Sequence, residues 1–373
     1  MNGSIFSLQN LTLTGDPTPR LDAVTLQIPS GATAIVGLSG AGKTSLLNVL
    51  AGFETSFSGE LKSNLPGDQD WTEGNEGSSG VSSCRSPTPA THQTTDDVAS
   101  VADAERRLPL FWVPQSGGLW PHLSVERHLQ IVDRRSRQSQ KSCAVSGRFS
   151  ERTDEFLGLF DLAHRRRALP AELSQGERSR LSLARALTTR ARVLLLDEPL
   201  SHVDPVRKPD YWNVVRKIVA EENISMVFTS HEPETVLRQA RQVICLDAGR
   251  VAFQGSVSTL YENPPNAQLG AFLGPLNWFP EDEAAMCFPG RANRESEFSL
   301  RPERVRIDAA DESALELVSQ LHCGAYSESV VRDAGSGITR SVLHQVPEAR
   351  LTIGQRIALR VADIQERLGV RDK

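Results

Sequence analysis

Eight residues, Gly37-Leu38-Ser39-Gly40-Ala41-Gly42-Lys43-Thr44, constrain this 373-residue chain more than any other stretch. An apolar run of strand length, Ala32 to Val36, precedes them, and Ser45 to Leu50 follows with the spacing of a helix. Strand, glycine-rich loop and helix in that order belong to an α/β unit. The glycines let successive backbone N–H groups turn inward around an anion, and the helix N-terminus that follows favours negative charge. The string fits the phosphate-binding pattern G-x-x-x-x-G-K-[ST]. Residues Gly37, Leu38, Ser39, Gly40, Ala41, Gly42, Lys43, Thr44 and Ser45 are therefore candidate nucleotide contacts. Lys43 is placed to reach the β- and γ-phosphates, and the Thr44 hydroxyl to ligate Mg²⁺.

Further along, the fully apolar run Val193-Leu194-Leu195-Leu196 ends in Asp197-Glu198-Pro199. A second run, Ile224 to Phe228, ends in Thr229-Ser230-His231, and Val243 to Leu246 supplies a third. Between Asp154 and Leu187 the apolar residues recur at helical spacing. Strands alternating with helices predict a mostly parallel sheet covered on both faces, with the chemistry at the carboxyl ends of its strands. Asp197 is then the second metal-side group, holding Mg²⁺ through water, and Glu198 the carboxylate that polarises an attacking water.

The chain carries 41 Lys+Arg against 46 Asp+Glu, a net charge of -5, which speaks against a nucleic-acid partner. No apolar run approaches the ~20 residues of a membrane span, and MNGSIFSLQN does not read as a secretory signal. Cys84, Cys143, Cys245, Cys287 and Cys323 are scattered and never spaced C-x-x-C, so neither disulfides nor zinc are expected. Pro66 to Arg107 is rich in Gly, Ser, Thr and Asp, and reads as a mobile surface insertion; Arg134 to Arg152 reads as a smaller one. The α/β domain is expected to span 1–265, residues 266–296 to be a Pro- and Gly-rich linker, and 297–370 a small all-β barrel.

Leu173-Ser174-Gln175-Gly176-Glu177, followed by Arg180 and Ala184-Arg185-Ala186-Leu187, resembles the signature motif of ATP-binding-cassette (ABC) ATPases, usually LSGGQ. Gln115 in Val113-Pro114-Gln115 resembles the Q-loop of importer-type cassettes, Ser201-His202-Val203-Asp204 the D-loop, and Thr229-Ser230-His231-Glu232 the switch-histidine segment. The tail, through Phe272 to Asn277, Leu300-Arg301-Pro302-Glu303 and Leu351 to Gln355, resembles the C-terminal OB-like (TOBE) domain of bacterial importer ATPases.

The resemblance implies a P-loop NTPase cassette with a helical subdomain, followed by an OB-like barrel. It implies ATP and Mg²⁺ as cofactors, with Lys43, Glu198 and His231 catalytic. Gln115, Ser174, Gln175, Gly176, Glu177 and Asp204 become nucleotide contacts, and Thr44, Gln115 and Asp197 metal contacts. Ser174 and Gly176 of one subunit would close over the γ-phosphate held by Lys43 of another, giving a homodimer with two ATPs at its interface. Separate membrane permease subunits, docked near Gln115, and an external substrate-binding protein complete an importer at the cytoplasmic face of the membrane. Two rivals are a soluble cassette acting on nucleic acid or ribosomes and a regulatory cassette with little turnover. A single cassette without a long heptad run disfavours the first, and the presence of Glu198 and His231 the second. Gln175 and Glu177 depart from the usual signature. No aromatic residue stands near Leu13 to Asp16, where the family stacks adenine, so GTP is expected to compete with ATP.

Overall fold

The computed structural model describes residues 3–65, 108–133, 147–288, 297–347 and 351–362, arranged in two compact units, Met1–Gln254 and Gly255–Lys373. The insertion expected at 66–107 lies outside the described residues. So does 134–146, but Gly147 to Arg152, read from sequence as part of a polar loop, begin a helix.

The first unit opens with β1 (Ser4–Leu13), β2 (Leu21–Pro29), β3 (Ala32–Val36), α1 (Lys43–Leu50), β4 (Phe57–Ser63) and β5 (Leu110–Val113). There follow α2 (Val125–Val132), α3 (Gly147–Leu159), α4 (Gln175–Thr188), β6 (Val193–Leu196), α5 (Lys208–Glu221) and β7 (Ser225–Thr229). It ends with α6 (Pro233–Gln239), β8 (Gln242–Asp247) and β9 (Arg250–Ser256). Two sheets form. One is antiparallel, in the order β2-β1-β4; the other has six strands in the order β5-β6-β7-β3-β8-β9. From β5 to β8 the neighbours run parallel. Val193 to Leu196 are all buried, as a strand covered on both faces requires. Helix α1 packs between the sheets: Leu46, Leu47 and Leu50 share one core with Leu8, Leu11 and Leu26 of the antiparallel sheet and with Leu195, Val227 and Ile244 of the parallel one. The phosphate loop is thus clamped at the carboxyl end of β3, with strand and helix both anchored in the core.

The second unit contains α7 (Val257–Glu262), α8 (Ala267–Ala271), β10 (Asn277–Phe279), α9 (Glu281–Cys287), β11 (Phe298–Leu300), β12 (Val305–Ala309), β13 (Leu315–His322), β14 (Ser327–Asp333), β15 (Thr339–His344) and β16 (Arg356–Val361). Five strands pair antiparallel in the order β12-β16-β13-β14-β15, and the sheet curls until the Gln345 amide donates to the Val305 carbonyl at 2.8 Å. This is the expected small barrel-like domain. The linker expected at 266–296 is a correction: its described part holds α8, β10 and α9, and Phe279, Phe288 and Phe298 form one aromatic cluster in the barrel core. The cause is Arg301, 4% exposed, whose guanidinium donates to the carbonyls of Tyr261, Gly270, Gly274 and Pro275 and stacks 4.2 Å from the Tyr261 ring. Backbone carbonyls that a linker would give to water are taken by one buried cation. None of the described helices is long and apolar enough to cross a membrane.

Candidate nucleotide site

The loop between β3 and α1 has the backbone that its glycines permit. Gly42 caps α1 at φ 98°, ψ 9°, and a Cβ there would lie 2.6 Å from the Arg20 carbonyl oxygen, so no other residue fits. Lys43 is 7% exposed, and its Nζ donates to the carbonyls of Gly37 and Leu38 at 2.9 Å each. The ammonium therefore stands inside the loop curve, where an arriving anion meets it. Burial pushes the Lys43 pKa down, while Glu198 and Asp197 pull it up.

Asp197 ends β6 and is 4% exposed, with both carboxylate oxygens engaged. The Thr44 hydroxyl donates to Oδ2 at 2.9 Å, and the Thr229 hydroxyl donates to Oδ1 at 2.7 Å. Thr229 in turn accepts the Glu198 amide at 2.8 Å, so one hydroxyl at the end of β7 ties together the two acidic residues at the end of β6. Glu198 takes φ 49°, a left-handed conformation that costs a non-glycine residue about 1 kcal/mol. That turn aims its carboxylate away from β6: Oε2 accepts from Gln115 Nε2 at 3.1 Å, and Oε1 pairs with His231 Nε2. Lys43, Thr44, Asp197, Glu198, Gln115 and His231, drawn from three strand ends and one helix, thus converge on one mouth. Its groups supply cations at the loop, hard oxygen donors beside it, and a carboxylate held by an amide and an imidazole.

The ABC transporter family matches residues 21–201. An Fe(3+) ions import ATP-binding protein, FbpC of Pseudomonas fluorescens, is 30% identical over 308 residues, covering 79% of this chain and 76% of that protein. The chain belongs to the ABC transporter family. It stands with the import ATP-binding subunits of that family and is an ATP-hydrolysing enzyme. A spermidine/putrescine import ATP-binding protein, PotA of Marinobacter nauticus, is 29% identical, covering 89% of this chain and 85% of that one. A molybdenum import protein, ModC 1 of Azotobacter vinelandii, reaches 38% over 64% of this chain and 56% of its own length. A solved ATP-binding subunit of an ABC transporter shares the fold, at TM-score 0.50 and 18% identity, covering 69% of this chain and 92% of its own.

In this ABC ATPase the signature residues open α4. Ser174 is the N-cap: its hydroxyl accepts the Glu177 amide at 3.2 Å, and the Glu177 carboxylate accepts the Ser174 amide at 2.8 Å. Glutamate thus fills the N3 position of a capping box, a role that glutamine can also fill. Burial alone would raise the Glu177 carboxyl; the bonds to Ser174 and the Arg165 guanidinium at 3.1 Å outweigh it and hold the group at about 2. Glu177 is therefore turned into its own helix start. Among the described residues no hydrogen bond joins Ser174, Gln175, Gly176 or Glu177 to the phosphate loop of the same chain. Gln175 instead lines a cleft with Gln115, Glu198 and His202, and a Cβ on Gly176 would lie 3.0 Å from the His202 carbonyl. Asp204 is exposed and accepts the Val206 amide at 2.9 Å, shaping the turn before α5.

Four contributors escape the sequence reading. Thr229 was noted only as a neighbour of His231. Arg185 was noted only as part of a motif, yet it donates to the carbonyls of Gly117 and Gly118 at 2.9 and 2.7 Å and lies 4.9 Å from the Trp120 ring. Ser182 donates to the same Gly117 carbonyl at 3.0 Å. Together they fasten α4 to the segment that carries Gln115. Finally, Lys208, 7% exposed, pairs with Glu232, which also accepts from Thr235 at 2.8 Å; this pair steadies the residue following His231. Only a fold could expose these links, because each joins residues far apart in sequence.

Proposed function

We propose that this chain powers import by hydrolysing Mg²⁺-ATP as a homodimer, on the cytoplasmic face of the membrane, for separate permease subunits served by an external substrate-binding protein. The observation that carries the catalytic part is the Glu198 carboxylate, held between Gln115 and His231 beside the Thr44–Asp197 pair. Glu198 orients the attacking water and accepts its proton, and His231 and Lys43 face the terminal phosphate. The hydroxyl of Thr44 and the carboxylate of Asp197 are hard oxygen donors that fit Mg²⁺, with Gln115 at the edge of the same site. When bound, Mg²⁺ neutralises charge on the β- and γ-phosphates.

The homodimer is inferred from the signature: among the described residues no hydrogen bond joins Ser174 or Gly176 to the phosphate loop of the same chain, and a second copy would bring them to it. For the permease, support comes from exposed aromatics near the Gln115 segment. Phe53 is 67% exposed and rests on Trp112 at 4.8 Å, and Trp120 is 37% exposed. The net charge of -5 fits no nucleic-acid partner. The reading is tested by Glu198→Gln, which is expected to bind ATP while hydrolysis falls about a hundredfold or more. Near-normal turnover would remove Glu198 from its role.

A further inference from the structure

We propose that the guanidinium of Arg20 is the surface on which the nucleotide base stacks, an inference that rests on the loop 37–44 being the triphosphate seat. The γ end of that seat is marked by Thr44 with Asp197 and by Glu198 with His231. A triphosphate lying with its terminal phosphate there carries its nucleoside out past the opposite border of the loop. Arg20 forms that border. Its carbonyl oxygen would stand 2.6 Å from a Cβ on Gly42 and 3.0 Å from one on Gly249, so its backbone is wedged against the last turn of the loop. Its amide donates to the Leu13 carbonyl at 2.9 Å, closing the hairpin between β1 and β2 over the same spot.

The side chain leaves this contact toward solvent, 44% exposed, yet it is not loose. Nε donates to the Thr14 carbonyl at 3.1 Å, and one terminal nitrogen to Glu54 Oε1 at 2.6 Å. Guanidinium N–H bonds lie in the plane of the group, so both anchors grip its edge and leave its faces available. Among the described residues no aromatic ring lies under it. A flat cation of fixed orientation beside an open seat is suited to a π-face.

Other flat groups are less apt. The residues 14–19 include no aromatic side chain, and Phe53, though exposed, turns its ring toward Trp112. Because stacking reads the face of a base rather than its hydrogen-bonding edge, Arg20 would hold adenine and guanine alike.

Calorimetric titration of the full chain in Mg²⁺ with ATP, GTP and inorganic tripolyphosphate separates base from phosphate. Arg20→Ala and Arg20→Lys are expected to weaken ATP and GTP about tenfold and to leave tripolyphosphate unchanged, while Arg20→Tyr restores the nucleotides. Unchanged tripolyphosphate binding also reports an intact fold. Equal weakening of ATP and tripolyphosphate in Arg20→Ala would place the guanidinium on the phosphates and overturn the proposal. So would unchanged ATP affinity, or a loss in Phe53→Ala in place of Arg20→Ala. A wild-type chain that binds tripolyphosphate as tightly as ATP overturns the stacking surface alone; one that binds neither overturns the nucleotide site as well.

Discussion

At the scale of single residues, the site depends on side chains whose bonds are shared. Thr229 serves both Asp197 and the Glu198 amide, so Thr229→Val, nearly the same shape, leaves a carboxylate oxygen and an N–H without their partner. The expected cost is about 1–3 kcal/mol in urea unfolding, with a fall in turnover larger than the fall in ATP affinity. Acid should act at other positions. His128 is fully buried and takes the Trp120 amide on Nε2 at 2.9 Å, which leaves Nδ1 to donate to the Ser124 carbonyl at 2.8 Å. Burial lowers its pKa from the ordinary 6.5, and Arg185 and His122 lower it further against the Ser124 carbonyl. A depressed histidine lends stability that is present above 6.5 and lost as the pH falls through the folded value. Glu177 has the same sign, with its contribution complete above 4.5 and lost on the way to about 2. Melting temperature should therefore decline in two stages on acidification; the buried His344 is likewise held below 6.5 and shares the first, so His128→Gln, which can still accept from Trp120, should shrink that stage without abolishing it. An unaltered first stage in that variant would assign it to another group.

At the scale of elements, α4 is the part that binds the cleft together. Its N-terminus presents Gln175 to the cleft, and its middle grips the segment after Gln115 through Ser182 and Arg185. The segment after Gln115 and the helix that begins at the signature residues are thereby joined through a buried cation whose pKa burial lowers to about 10. Arg185→Met keeps the length of the side chain but abandons the carbonyls of Gly117 and Gly118. It should cost about 2 kcal/mol in urea unfolding and loosen the Gln115 segment, seen as faster amide exchange at 115–120. Unchanged exchange there would confine Arg185 to packing.

The elements were unequally legible in the sequence. The phosphate loop and the β6 strand with Asp197-Glu198 are local patterns, and the fold keeps them. The strand β15, Thr339–His344, carries little local signal, because only Val342 and His344 of its alternating face are buried. Residues 266–288 read as a linker because their prolines and glycines are local, whereas the arginine that orders them lies some 30 residues on. Glu177 reads as a nucleotide contact from its place in a motif, and the bonds it makes to Arg165 and Ser174 are not legible there. In these cases the deciding contacts form only in the fold.

At the scale of the molecule, one chain holds one complete phosphate loop and one signature, and the two do not meet within it. In the homodimer proposed above, ATP would act as an adhesive between copies, binding more strongly in the closed pair and so biasing the equilibrium toward it, and hydrolysis would remove that bias. The most direct test is Mg²⁺-dependent ATP hydrolysis by the full chain as a function of its own concentration, beside Lys43→Ala and Glu198→Gln. The account predicts a rate per chain that climbs with concentration and is abolished in both variants. A rate per chain that stays flat, or activity that survives in Lys43→Ala, would contradict it.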